Sequence, residues 1–265
     1  MKIVRFESVN GVIEFGVVKC ENPAEAELIS GDIFGEFELK GETAAIKKLL
    51  APVEPPNIIA IGLNYRNHAE ESGMAIPNHP LVFLKLTTSV IGPGDAIVLP
   101  NEAPDEVDYE AELAVVIGKR CKNITPEQSE DYILGYTCAN DVSARDCQLK
   151  FDGQWARAKS FDTFCPLGPW IVTSDEFNPS DVEIKSIVSG ETMQRSRTSE
   201  LIFAVPELIS YLSRQFTLLP GTVILTGTPP GVGFARKPAR FLQAGDEVTV
   251  FIEGIGRLIN PVISE

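Results

Sequence analysis

Positive charge is what this chain has least of. Its 265 residues carry 23 Lys and Arg against 37 Asp and Glu, a net charge of -14. Nucleic-acid binding rests on Lys and Arg neutralising phosphates, so the balance argues against a nucleic-acid partner. Long apolar runs are missing too: none approaches the ~20 residues that span a bilayer. The N-terminus, Met1 to Phe6, enters a strand-like pattern without the apolar core of a signal peptide. The expectation is a cytoplasmic protein with no membrane partner. The five cysteines are scattered and include no C-x-x-C pair, which argues against a disulfide framework or a thiolate zinc site. Histidine is scarce, with only His68 and His79. The glycine loop Gly227 to Gly233 lacks the Gly-Lys-Ser/Thr ending of a Walker A motif. Its glycines let backbone N–H groups approach a ligand, or simply make a turn.

The length suits one large domain, or a main domain with a small appendage. Residues 1–53 read as a small N-terminal α/β piece. Lys2 to Phe6 and Val12 to Lys19 pair around Asn10-Gly11, a hairpin signal, and Thr43 to Leu50 reads as a short helix. The proline-rich stretch Ala51 to Pro56 is a stiff connector. Residues 54–265 form the main domain, which is rich in strand candidates. It has one clear amphipathic helix, Pro206 to Phe216, and ends in two strands around Gly254-Ile255-Gly256. Asp152 to Pro169 reads as nearly all loop, with Arg157 and Lys159 as its prominent charges.

The chemistry concentrates in Asp108-Tyr109-Glu110-Ala111-Glu112, which runs into the strand-like Leu113 to Ile117. On a strand, Glu110 and Glu112 point the same way, about 7 Å apart along the chain. Two carboxylates on one face repel each other and resist burial, whereas a hard divalent cation satisfies both. A solvated edge strand gives the same pattern. Asp141, at the end of the strand Ile133 to Cys138, is placed as a third oxygen ligand, or caps a turn. His68 and Glu71 stand three apart on a helical stretch and share its face, so the carboxylate can orient an imidazole base. The loop Ser72 to Pro80 lies where a lid belongs.

Five stretches together resemble the fumarylacetoacetate hydrolase family. They are Gly62 to His68, Asp108 to Glu112, Asn140 to Asp146, Lys159 to Pro169 and Gly227 to Gly233. The resemblance implies a mainly β, α+β fold, a mixed β-sandwich roll that is usually a homodimer. It implies that Glu110, Glu112 and Asp141 hold Mg²⁺ or Mn²⁺, with Ca²⁺ as a further possibility. His68 with Glu71 (or Glu70) would act on a water beneath the lid, and Lys159 would face the developing oxyanion or enolate. Lys85, Arg145, Gln148 and Thr228 would contact the oxygens of the substrate.

Charge counting agrees on the substrate class. Three ligand carboxylates, a divalent ion and Lys85, Arg145 and Lys159 sum to +2, which suits a small dianionic keto acid. The reaction expected first is hydrolysis of the C–C bond of a 1,3-diketo acid, an acylpyruvate or fumarylpyruvate, through an enolate held by metal and Lys159. Oxaloacetate decarboxylation or tautomerisation, or isomerisation of a 2-hydroxyhepta-2,4-diene-1,7-dioate, is the alternative at the same site.

Overall fold

The computed structural model describes residues 1–71 and 73–265. Two twisted sheets pack face to face. The larger is a mixed sheet of eleven strands whose central members are Cys165–Thr173, Ile133–Asn140, Ala111–Ile117, Val223–Leu225 and Ile58–Gly62. Leu81–Lys85 forms one edge. The second sheet orders Glu191–Arg197, Glu183–Val188, Glu247–Ile252, Gly256–Ser264 and Ile97–Leu99. The result is the mixed β-sandwich expected for the fold class. The helix Val205–Gln215 closes one end, with Leu208, Ile209 and Leu212 in the core.

Ala111–Ile117 is buried along its whole length, so its apolar residues run continuously instead of alternating with polar ones. Leu113, Val115 and Ile117 face the inter-sheet core with Trp170, Val250 and Leu258. Ala114 and Val116 face a second apolar layer that includes Ile3, Val17 and Ile29 from the N-terminal piece. Glu112 has the parity of this second face. The N-terminal strands extend this sheet edge to edge and add residues to both apolar layers, Val4 and Phe6 to one and Ile3 and Val17 to the other.

Two expectations are corrected here. Thr43 to Leu50 is not helical: it belongs to the strand Phe37–Leu49, paired with Glu25–Gly31 and Lys2–Ser8. Ala44, Ala45, Lys47 and Lys48 are good helix formers, but Ala44, Ile46 and Leu49 pack on the core, and that pairing overrides local preference. The N-terminal piece is thus all β, and the main sheet continues into it through Lys2 opposite Val172 and Ile3 opposite Ile171. Residues 50–57, around the expected boundary, have no regular structure. Asp152 to Pro169 is also not mostly loop. It contains the helix Trp155–Ala158 and enters the buried strand Cys165–Thr173, whose Pro166 and Pro169 disguise it in sequence.

Asn64 fixes the end of Ile58–Gly62 against the strand beside it. Its amide donates to the Thr226 carbonyl at 2.7 Å and the Phe203 carbonyl at 3.0 Å, and its carbonyl accepts the Phe203 N–H at 2.8 Å. Asn64→Ala leaves these buried groups unpaired, at a cost of about 3 kcal/mol. Urea unfolding should show a lower midpoint with an unchanged slope, and an unshifted midpoint would refute the role.

Candidate active site

Strand alternation brings the acids together. Glu110 immediately precedes Ala111–Ile117 and Glu112 lies within it. The Glu110 N–H donates to Asn140 Oδ1 at 3.0 Å, and the Asp141 N–H donates to the Glu110 carbonyl at 2.9 Å. The antiparallel neighbour Ile133–Asn140 thereby delivers Asp141 beside both glutamates. All three are buried, with carboxylate oxygens within 4.8 Å of one another.

Cations surround two of the three. Lys159 Nζ donates to Glu110 Oε2 at 2.8 Å and to Asp141 Oδ2 at 2.6 Å. Arg145 donates from Nη2 to Glu110 Oε1 at 2.6 Å, from Nε to Asp108 Oδ2 at 2.9 Å and from Nη1 to Gln148 Oε1 at 2.8 Å. Burial pushes the Glu110 carboxyl up, but the Lys159 and Arg145 charges outweigh it and hold the group well below the usual range. The Lys159 ammonium is shifted up, since the charges of Asp141 and Glu110 outweigh its burial.

Glu112 differs. Its hydrogen-bond donor is the Gly227 N–H at 2.5 Å, and among the described residues it has no salt-bridge partner. Burial and the neighbouring Asp141 and Glu110 charges raise its carboxyl well above the ordinary 4.5. An under-compensated buried carboxylate beside two more is what a divalent cation relieves. The all-oxygen donor set suits a hard ion such as Mg²⁺, Mn²⁺ or Ca²⁺.

His68 lies on the short helix Arg66–Glu71 and lines the same cavity as the triad. Its Nδ1 is 3.5 Å from Glu71 Oε2, so Glu71 and not the adjacent Glu70 is its partner. The Gly231 N–H donates to both Glu71 oxygens, at 3.1 and 3.0 Å. Burial opposes ionisation of Glu71, but these bonds from His68 and Gly231 lower its carboxyl. Ser72, first residue of the expected lid, lies outside the described residues. Met74 of that loop borders the cavity.

Lys85 is not where the resemblance placed it. Its side chain is fully buried and its ammonium donates to Asp141 Oδ1 at 2.5 Å, the Phe164 carbonyl at 2.9 Å and the Val142 carbonyl at 3.3 Å. All three N–H groups are committed to protein, so Lys85 supports Asp141 from outside the cavity. Arg145, Gln148, Lys159 and Thr228 do line it. The Thr228 hydroxyl donates to the Ala111 carbonyl at 3.0 Å and accepts from Gln194 at 2.8 Å, leaving it only acceptor capacity. Arg157 is exposed and pairs with Asp152.

The structure adds Asp108, whose carboxylate also accepts the Gly233 N–H at 2.7 Å and the Phe234 N–H at 3.0 Å. Its signal was present in sequence: Asp108, Glu110 and Glu112 share one parity. Gln194, on the hairpin strand Glu191–Arg197, had no such signal. Asp108 revises the charge count. Four carboxylates against Lys85, Arg145 and Lys159 leave -1, and a divalent ion brings the sum to +1 instead of +2. The glycine loop also gains a role. Gly227, Gly231 and Gly233 give their N–H groups to Glu112, Glu71 and Asp108, so the loop holds site carboxylates in place of a phosphate.

The cavity encloses about 160 Å³. Its polar side holds the acids, His68, Arg145 and Lys159, and its apolar wall includes Phe83, Trp155 and Phe234. A larger hollow of about 910 Å³, bordered by Tyr136, Phe177 and Leu201, contains none of these site residues.

A family model described as fumarylacetoacetate (FAA) hydrolase C-terminal matches residues 57–263. The chain belongs to the fumarylacetoacetate hydrolase family. A second model, Rv2993c-like N-terminal, matches residues 1–52. The chain is 50% identical over 218 residues to the Xenopus laevis protein named oxaloacetate tautomerase fahd2, mitochondrial, covering 81% of this chain and 68% of that one. It is 44% identical to Mycobacterium tuberculosis protein Rv2993c, over 99% of this chain and 98% of the other. A crystal structure described as 5-carboxymethyl-2-hydroxymuconate delta-isomerase from Mycobacterium smegmatis superposes over all of both chains, with a TM-score of 0.89 and 44% identity. The chain is therefore that of a family enzyme with isomerase and tautomerase relatives. No helix among its described residues is long and apolar enough to cross a membrane.

The raised Glu112 carboxyl gives a pH test. The ion-free native state keeps a proton there that the unfolded chain has lost, so stability falls as pH rises above the ordinary 4.5 toward the raised value. Saturating Mg²⁺ should remove that decline and add about 2.7 kcal/mol at a hundredfold excess over Kd. Melting temperatures in EDTA and in Mg²⁺ over a pH series rising from the ordinary 4.5 check this, and parallel curves would contradict it.

Proposed function

We propose that this chain is a keto–enol tautomerase or isomerase of a short dicarboxylic keto acid, oxaloacetate being the representative substrate. The observation that carries the reading is the convergence of His68, Arg145 and Lys159 with the acidic triad on one cavity of about 160 Å³. The relatives named for oxaloacetate tautomerisation and hydroxymuconate isomerisation support it. So this reading, the sequence-based alternative, displaces hydrolysis as the first choice.

Tautomerisation moves one proton from carbon to oxygen and breaks no C–C bond. It needs a base beside the C–H, positive charge beside the carbonyl oxygen, and anchors for the carboxylates. Glu110, Glu112 and Asp141 would hold a divalent ion, which supplies Lewis acidity toward the keto and carboxylate oxygens. Arg145 has five N–H groups, of which three serve Asp108, Glu110 and Gln148, and the others are available to a substrate carboxylate. Gln148, its carbonyl taken by Arg145, keeps its amide N–H groups.

His68 holds Nδ1 toward Glu71, which leaves Nε2 as the base for the methylene proton. As the enol forms, that proton is returned to the carbonyl oxygen. Lys159 uses two N–H groups on Glu110 and Asp141, and its third can meet the negative charge developing on that oxygen. The apolar wall keeps bulk water from competing for the proton.

Hydrolysis of a 1,3-diketo acid is the second reading, because the His68–Glu71 pair is also suited to deprotonating a water. It asks the cavity to hold a longer chain and an ordered water together. The volume lies below the ~300 Å³ at which small-molecule sites usually begin.

The test follows decay of the oxaloacetate enol absorbance with protein and Mg²⁺. The wild type should accelerate relaxation, and His68→Ala should lose about 10²–10⁴ of the rate while binding Mg²⁺ as before. No acceleration, together with release of pyruvate from acylpyruvates, would replace this reading with the hydrolytic one.

A further inference from the structure

Part of the cavity wall is set by an aromatic residue that carries no polar role. Trp155 begins the helix Trp155–Ala158, and its carbonyl accepts the Lys159 N–H at 3.1 Å. The indole and the Lys159 ammonium therefore stand one helical turn apart and line the same cavity. One short segment carries both the cation that faces the substrate oxygen and the wall beyond it.

The indole is wedged from two directions. Phe83 meets it edge to face, with ring centroids 5.5 Å apart and planes at 72°. On another side it lies against the backbone at Gly62. A Cβ there would sit 2.5 Å from a Trp155 ring carbon and 2.6 Å from a Leu81 methyl, closer than real contacts allow. Phe83 is itself placed by the edge strand Leu81–Lys85, and Lys159 Nζ lies 5.1 Å from its ring centre. Trp155 thus has little room to swing away when a ligand enters. Its ring is half-buried, whereas Met74 and Leu149 at the rim are exposed and unbranched at Cβ, so they can yield.

The carboxylates and cations mark where a keto-acid group would bind, and Trp155, backed by Phe83 and Gly62, is a fixed apolar part of the wall around it. The cavity of about 160 Å³ equals roughly five water volumes.

We propose that Trp155 is the specificity-determining residue of this site: its indole, wedged against Gly62 and Phe83, caps substrate length and confines the enzyme to short keto diacids. The proposal rests on the function given above for its substrate class, and its test is by binding, so the two can fail separately. Calorimetric titrations of the full-length, Mg²⁺-loaded protein would compare oxalate with 2-oxoadipate. The wild type should bind oxalate more tightly. Trp155→Ala should shift the ratio toward 2-oxoadipate, which has two methylenes more than oxaloacetate, by about tenfold or more, since one methylene in an apolar pocket is worth at least that much. Trp155→Phe, which keeps an aromatic wall, should lie between them.

An unchanged ratio in Trp155→Ala would overturn the proposal. So would equal losses for both ligands that Trp155→Phe restores without any change of ratio, since that marks a purely structural role. If the wild type fails to tautomerise oxaloacetate yet the ratio shifts as stated, the length limit stands and only the reaction assigned to the site falls.

Discussion

Three carboxylates pressed within 4.8 Å of one another in a buried site are the constraint around which this molecule is arranged. Each alone would resist burial, and together they repel. The protein offsets this with three cations from three places: the edge strand Leu81–Lys85, the residue after the short strand Ser143–Ala144, and the end of the helix Trp155–Ala158. The compensation is uneven. Glu110 and Asp141 are saturated with charged donors, while Glu112 has one backbone N–H. That imbalance is what makes a divalent ion the natural completion of the site.

Local structure is subordinate to this arrangement. A strand buried on both faces carries Glu112 into the interior, and the N-terminal strands extend the same sheet beyond Cys165–Thr173. The glycine loop after Val223–Leu225 bends so that successive N–H groups reach Glu112, Glu71 and Asp108. Gly231 has φ +103, and a side chain there would collide with the Met193 carbonyl. Through this loop the His68–Glu71 pair and the Asp108–Arg145 pair are tied to one segment. His68, Arg145 and the acidic triad are therefore positioned together.

Much of the site was legible because chemistry and periodicity coincide in it. Spacing puts Glu110 and Glu112 on one strand face, Asp141 at a strand end and His68 on the helix face of Glu71. Solvated faces and a turn cap fit the same pattern, and it is the family resemblance that joins them into one site. Asp108 obeys the same alternation but was given no role. What escaped depends on contacts distant in sequence. Nothing near Lys85 says that its ammonium ends on Asp141, Val142 and Phe164 instead of a ligand. Gln194 reaches Thr228 and the Ala111 N–H from the second sheet. In the fold, Thr43 to Leu50 misled because Ala and Lys favour a helix where cross-strand packing of Ala44 and Ile46 decides.

Shape and charge then converge on one kind of ligand. With a divalent ion in place the local charge sums to +1, and Arg145, Gln148 and Lys159 line a cavity of about 160 Å³. The central claim is that Glu110, Glu112 and Asp141 jointly bind one divalent cation, and the most direct measurement is an anomalous difference map from crystals soaked in Mn²⁺. A single strong peak in contact with all three carboxylates is the expected result. A well-occupied Mn²⁺ elsewhere, with the triad holding only its protein partners, would contradict it.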